Sequence, residues 1–143
     1  MRFRNLVVLG AFTTLLVGCG AASNNAASNG KTLGVTLDEY HVKLDAATIP
    51  AGTVTFEVKN TGSEKHEFVI LKTDVAASAL PDDPATNKVQ EEASGVLHVD
   101  EIDGVGPGGL RDLTVALTPG SYLIVCNYPG HVHAGMVTTL TVT

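Results

Sequence analysis

From residue 33 onwards, apolar and polar residues alternate over short stretches. Val54, Phe56 and Val58 interleave with Thr55, Glu57 and Lys59, the period of a half-buried strand. Pro50-Ala51-Gly52 before it and Asn60-Thr61-Gly62-Ser63 after it read as turns. In the next segment His66, Phe68 and Ile70 share one face of a strand, and Glu67, Val69 and Leu71 share the other. Leu113, Val115 and Leu117 alternate with polar or small neighbours. Beyond the Pro119-Gly120 turn, Tyr122, Ile124 and Cys126 fall on one strand face. A loop then runs to about Met136, and a last strand places Leu140 and Val142 on the parity of Met136.

The stretch from about Val75 to Leu110 is less regular. It contains Pro81, Pro84 and Pro107, with a strand expected over Val96 to Ile102 and a short helix over Ala76 to Leu80 or Lys88 to Ala93. Short strands separated by Gly/Pro turns, with neither a long helical period nor an internal repeat, predict an all-β sandwich.

The N-terminus departs from this pattern. Arg2 and Arg4 precede an apolar run, Leu6 to Val17, that is too short to span a bilayer comfortably. It ends in Leu16-Val17-Gly18-Cys19, which resembles a bacterial lipobox, so Cys19 is the expected lipidation site. The small, uncharged segment that follows cannot bury a core and reads as a tether. The expected organisation is a lipoprotein signal over 1–18, lipidated cysteine and tether over 19–32, and one domain over 33–143. The expected location is a cell-membrane or outer-membrane lipoprotein facing the periplasm or exterior.

Charge and cysteine count narrow the function. The chain has 9 Lys+Arg and 15 Asp+Glu; Arg2 and Arg4 leave with the signal, so 7 − 15 gives −8 for the mature chain. That argues against nucleic acid as a partner. Of 2 Cys, only Cys126 remains if Cys19 is lipidated. A lone exported thiol has no internal disulfide partner, and a bound metal would protect it from oxidation.

Candidate chemistry is concentrated in Cys126-Asn127-Tyr128-Pro129-Gly130-His131-Val132-His133-Ala134-Gly135-Met136, a C-x4-H-x4-M pattern, with His66 far upstream at the start of a strand. A thiolate, two imidazoles and a thioether form the ligand set of a blue-copper electron-transfer site. Soft sulfur favours Cu(I) and imidazole suits both oxidation states, so an electron can arrive or leave with little rearrangement. Cys126 and His66 share parity with Ile124 and Phe68 and should point inwards. His131, mid-loop beside Tyr128, Pro129 and Val132, should keep an edge in solvent, with these apolar neighbours as a weak docking patch. His41, His98 and His133 read as surface residues or residues outside the ligand set, and Tyr122 as structural.

These residues carry a resemblance to the cupredoxins. Asn60-x5-His66-x-Phe68 resembles the family's upstream histidine motif, and Pro119-Gly120-Ser121-Tyr122-x-Ile124-x-Cys126 resembles its penultimate strand. The loop spacing is similar to that of rusticyanin, auracyanin and sulfocyanin. The resemblance implies a Greek-key β-sandwich, one copper ion cycling between Cu(I) and Cu(II), and His66, Cys126, His131 and Met136 as its ligands. It further implies a monomeric carrier of single electrons between redox protein partners, with no catalytic residues. Glu67 departs from the pattern, since several cupredoxins have Asn or Ser there to tie the two ligand loops together.

Other copper functions fit less well. Multicopper oxidases place histidines beside the cysteine, where this chain has Val125 and Asn127. A binuclear site needs a second cysteine, where this chain has Gly130. Copper chaperones use exposed Met or His clusters, and this chain has 2 Met, one of them Met1.

Overall fold

The computed structural model describes residues 30–143, and the expected signal, Cys19 and most of the tether lie outside them. The strands are β1 (Lys31–Asp38), β2 (His41–Leu44), β3 (Thr48–Ile49), β4 (Gly52–Asn60), β5 (His66–Thr73), β6 (Asp82–Asp83), β7 (Lys88–Val89), β8 (Val96–Val105), β9 (Leu110–Leu117), β10 (Gly120–Val125) and β11 (Val137–Val142). One sheet runs β2-β1-β4-β9 and the other β3-β11-β10-β5-β8, while β6 and β7 form a separate ribbon. The connections β4–β5, β8–β9 and β9–β10 each pass from one sheet to the other. The molecule is the all-β sandwich that the alternating pattern predicts.

The core lies between the two sheets. Leu33, Val35, Leu37, Val54, Phe56 and Val58 of one sheet meet Phe68, Ile70, Tyr122, Ile124 and Leu140 of the other. The Phe56 and Phe68 rings pack tilted with centroids 5.2 Å apart. Each fully buried side chain of this size stabilises the fold by about 1.5–3 kcal/mol.

Strand β5 is buried on both faces. Phe68 and Ile70 enter the main core, while Val69 and Leu71 join Leu80, Val89, Val96, Leu123 and Val125 in a second apolar cluster. The irregular segment after β5 supplies Leu80, Val89 and Val96 and so covers the outer face of the five-stranded sheet. Its local structure differs from expectation. The helical turn is a 3-10 helix over Ala77–Ala79, and Lys88–Val89 is a strand paired with Asp82–Asp83 where a helix was the alternative. Two-residue strands and Pro-broken turns have no period to read, so tertiary packing decides them. Strand β8 runs three residues past the expected Ile102, to Val105, whose partner is His66.

Candidate metal centre

Three elements bring the chemistry together at one end of the sandwich. Strand β5 starts at His66, neighbouring β10 ends just before Cys126, and the connection from β10 to β11 carries His131 and Met136. This connection contains one helical turn, α1 (His131–Ala134), where the sequence predicts only loop. Gly130 (φ 81) and Gly135 (φ 118) flank it in the positive-φ region that favours glycine.

Backbone hydrogen bonds fix the loop. Cys126 N–H donates to the Met136 carbonyl (3.1 Å), and Met136 N–H donates to the His131 carbonyl (2.9 Å). The spacing of Cys126, His131 and Met136 is therefore held by their own main chain. Asn60 fixes the entry to β5: its Nδ2 donates to the Glu64 carbonyl (2.6 Å) and the Val105 carbonyl (2.8 Å), and its Oδ1 accepts from Gly62 N–H.

The side chains converge. Cys126 Sγ lies 3.3 Å from His131 Nδ1 and 3.9 Å from His66 Nδ1. Ligand atoms of Cys126, His66 and His131 all lie within 4.8 Å of one another. Cys126, His66 and Met136 are fully buried, and Met136 belongs to the main core. Glu67 N–H donates to Cys126 Sγ (3.2 Å). His131 keeps 14% of its side chain exposed against 0% for His66, so its edge reaches solvent as expected.

Burial pushes the Cys126 thiol up, against the pull of the Tyr128 and Glu67 N–H groups. Burial also pulls the His131 imidazole down, and the neighbouring His66 acts in the same direction. The pocket thus favours an uncharged thiol and an uncharged imidazole, and Cys126 must release its proton to serve as a thiolate ligand. His66 Nε2 is buried without a hydrogen bond, its closest carboxylate being Glu39 Oε1 at 3.4 Å.

The donor set and its spacing fit a copper ion. Nitrogen and sulfur ligands at about 2.0–2.3 Å from one small ion stand about 3.4–3.7 Å apart, and the two observed nitrogen–sulfur separations bracket that range. The set is soft and mixed, as copper sites that cycle between oxidation states require.

The surroundings contain residues that the sequence pattern does not reveal. Tyr40 packs edge-on against His131 with ring centroids 5.1 Å apart, and Tyr128 does the same at 5.7 Å. Asn127 ties the loop to β7: its Oδ1 accepts from Val89 N–H (2.7 Å), and its Nδ2 donates to the Val89 carbonyl (2.9 Å) and to Glu91 Oε1 (2.6 Å). A polar residue directly after Cys126 is the one signal for it in the sequence. Glu67 makes no such tie, for its Oε2 is buried and without a hydrogen-bond partner. Burial pushes its carboxyl up, Lys88 opposes this, and Glu101 and Glu91 reinforce it. Of the apolar residues beside His131, Pro129 is exposed, Tyr128 is half-buried, and Val132 packs partly against the second apolar cluster. His41 and His133 lie at the surface beside Asp38 and Asp82.

Comparisons with known proteins agree with this geometry. The family model for the cupredoxin-like domain matches residues 11–101, a span that includes His66 and ends before Cys126. The solved structure of dithionite-reduced auracyanin from the photosynthetic bacterium Roseiflexus castenholzii is 28% identical, with a TM-score of 0.57 over 80% of this chain and 98% of that one. Reduced rusticyanin is 26% identical, with a TM-score of 0.55 over 80% of this chain and 81% of that one. Auracyanin A from Chloroflexus aurantiacus, described as a "blue" copper protein, shares the fold at 24% identity and a TM-score of 0.53, over 78% of this chain and 98% of that one. A comparison with curated protein sequences gives no match. With more than half of its length matched by the family model, the chain belongs to the cupredoxin-like family.

Proposed function

We propose that this protein is a mononuclear blue-copper electron carrier in which His66, Cys126, His131 and Met136 hold one copper ion. The observation that carries the reading is the convergence of both Nδ1 atoms on the buried Cys126 sulfur. Copper, when bound, supplies a one-electron couple between Cu(I) and Cu(II). The rest is the work of the chain. Cys126, just past the end of β10, and His66, at the start of the neighbouring β5, would supply a thiolate and an imidazole from positions that the paired strands hold in place. The Glu67 N–H directed at Cys126 Sγ stabilises negative charge on sulfur. Met136, buried and tied through its backbone to Cys126 and His131, would add a thioether to the donor set. His131 provides the edge through which an electron meets a partner, with Tyr40 and Tyr128 holding its ring. Small contact areas are usual for such transient redox encounters. No residue has a catalytic role, and the partners are other redox proteins.

We further infer that the chain is exported and anchored by a lipid on Cys19, with 19–32 as tether and a monomeric domain facing the periplasm or cell exterior. The Leu16-Val17-Gly18-Cys19 sequence supports this reading.

The test is the visible and paramagnetic-resonance spectrum of the copper-loaded protein. An intense sulfur-to-copper charge-transfer band that disappears in Cys126→Ser is the expected result. A loaded protein without that band, or one that keeps it in the variant, overturns the assignment.

A further inference from the structure

A second group of metal-ligating side chains lies on the outer face of the five-stranded sheet, away from the main core. His98 and Glu101 belong to β8, and Glu91 follows β7. Residues three apart on a regular strand point to opposite faces. Here the pairing of β8 with β5 shifts: Ile70 is opposite Asp100, but the next residue, Leu71, is opposite His98. The extra residue on β8 is a bulge, and it re-aims His98 to the face that Glu101 occupies opposite Val69.

The distances within the group are informative. His98 Nε2 lies 3.6 Å from Glu91 Oε2 and 3.4 Å from Glu101 Oε2. Both are longer than the hydrogen bonds such groups make when they pair directly, about 2.7–3.2 Å. Nε2 is buried and has no hydrogen-bond partner, although 29% of the ring's side chain is exposed. A nitrogen turned inward between two carboxylates and bonded to neither is the arrangement that an ion completes. Ligands at about 2.0–2.2 Å in a tetrahedron stand about 3.4 Å apart, close to the separations observed.

The neighbouring residues also fit. Glu91 offers Oε2 because its Oε1 already accepts from Asn127 Nδ2 at 2.6 Å, the kind of outer hydrogen bond that orients a ligating carboxylate. The three side chains line an open cleft of 630 Å³, which gives access from solvent. Glu67, 8% exposed and with its own Oε2 unpartnered, adds a third carboxylate whose field reaches Glu91 and Glu101. Lys88, also lining the cleft, offsets part of this negative charge.

The geometry points to a second metal site, in which Glu91, His98 and Glu101 bind a divalent first-row cation of the zinc type. Imidazole with two carboxylates is a borderline-hard set that suits Zn²⁺ and lacks the sulfur that favours Cu(I). The site stands independently of the copper reading and is redox-silent.

The experiment is a calorimetric titration of the metal-free full-length protein with Zn²⁺, repeated on His98→Ala, Glu101→Gln and Cys126→Ala. The wild type should take up two equivalents. His98→Ala and Glu101→Gln should each lose one, or bind it at least about tenfold more weakly, since even outer-sphere changes cost about 10–100-fold. Cys126→Ala should keep that equivalent. Co²⁺ in Cys126→Ala should then give ligand-field bands without a sulfur charge-transfer band. Circular dichroism identifies any variant that fails to fold, and Glu101→Gln, nearly isosteric, keeps the test open if His98→Ala does. Zinc uptake unchanged in a folded His98→Ala or Glu101→Gln overturns the second site. A wild type that takes one equivalent, lost in His98→Ala, instead counts against the copper centre and leaves the second site standing.

Discussion

At the scale of single residues, the two loop histidines separate cleanly. His131 Nδ1 faces the Cys126 sulfur, whereas His133 is exposed and lies 3.3 Å from Asp82. His131→Gly should lose the blue spectrum and regain it with added imidazole, because the removed ring leaves a slot between Tyr40 and Tyr128. His133→Ala should keep the spectrum of the wild type. Bleaching in His133→Ala with colour retained in His131→Gly would reverse the assignment. Met136 is tested by voltammetry: Met136→Leu should raise the potential, because it removes a donor and leaves a more apolar pocket that disfavours the higher charge of Cu(II), and Met136→Gln, with a harder oxygen donor, should lower it. Equal potentials in all three proteins would take Met136 off the metal.

At the scale of elements, the ligand loop is held from outside the sandwich. Asn127 bonds both polar groups of Val89, and Gly130 N–H donates to the Asn87 carbonyl at 2.8 Å. The segment after β5 thus covers an apolar sheet face and braces the loop with the same residues. Asn127→Ala leaves the buried Val89 N–H and carbonyl without these partners, a loss of about 2–4 kcal/mol in unfolding free energy. Denaturant unfolding of the metal-free protein measures it. A loss under about 0.5 kcal/mol would mean that water replaces the amide without cost. Asn60 performs the equivalent task before β5, where its amide bonds both Glu64 and Val105.

At the scale of the whole molecule, the prediction concerns attachment. Cleavage before Cys19 would remove Arg2 and Arg4, leaving 7 − 15 = −8, and would put a lipid on Cys19 ahead of the segment 20–32. Wild-type protein should partition into detergent and incorporate a fatty-acid probe, and Cys19→Ala should lose nearly all labelling. Labelling that survives the substitution points to another attachment site.

Much of this was determined by sequence alone. Period-two alternation in β4, β5 and β10 set which side chains face the core, because successive residues on a strand point to opposite faces. It therefore placed His66 and Cys126 inside, and the spacing after Cys126 pointed to His131 and Met136 as the rest of the proposed donor set. Three features were decided by tertiary structure. The segment after β5 has no period of its own, and only its packing on Val69 and Leu71 gives it a conformation. Tyr40 and Glu39 reach the site, and Asn127 reaches Val89 and Glu91, through contacts between residues far apart in sequence. His98 reads as an isolated histidine until the bulge in β8 turns it towards Glu101 and the fold brings Glu91 alongside. Local alternation carries orientation, but long-range proximity and a register shift arise only when strands pair, since both depend on residues remote in sequence.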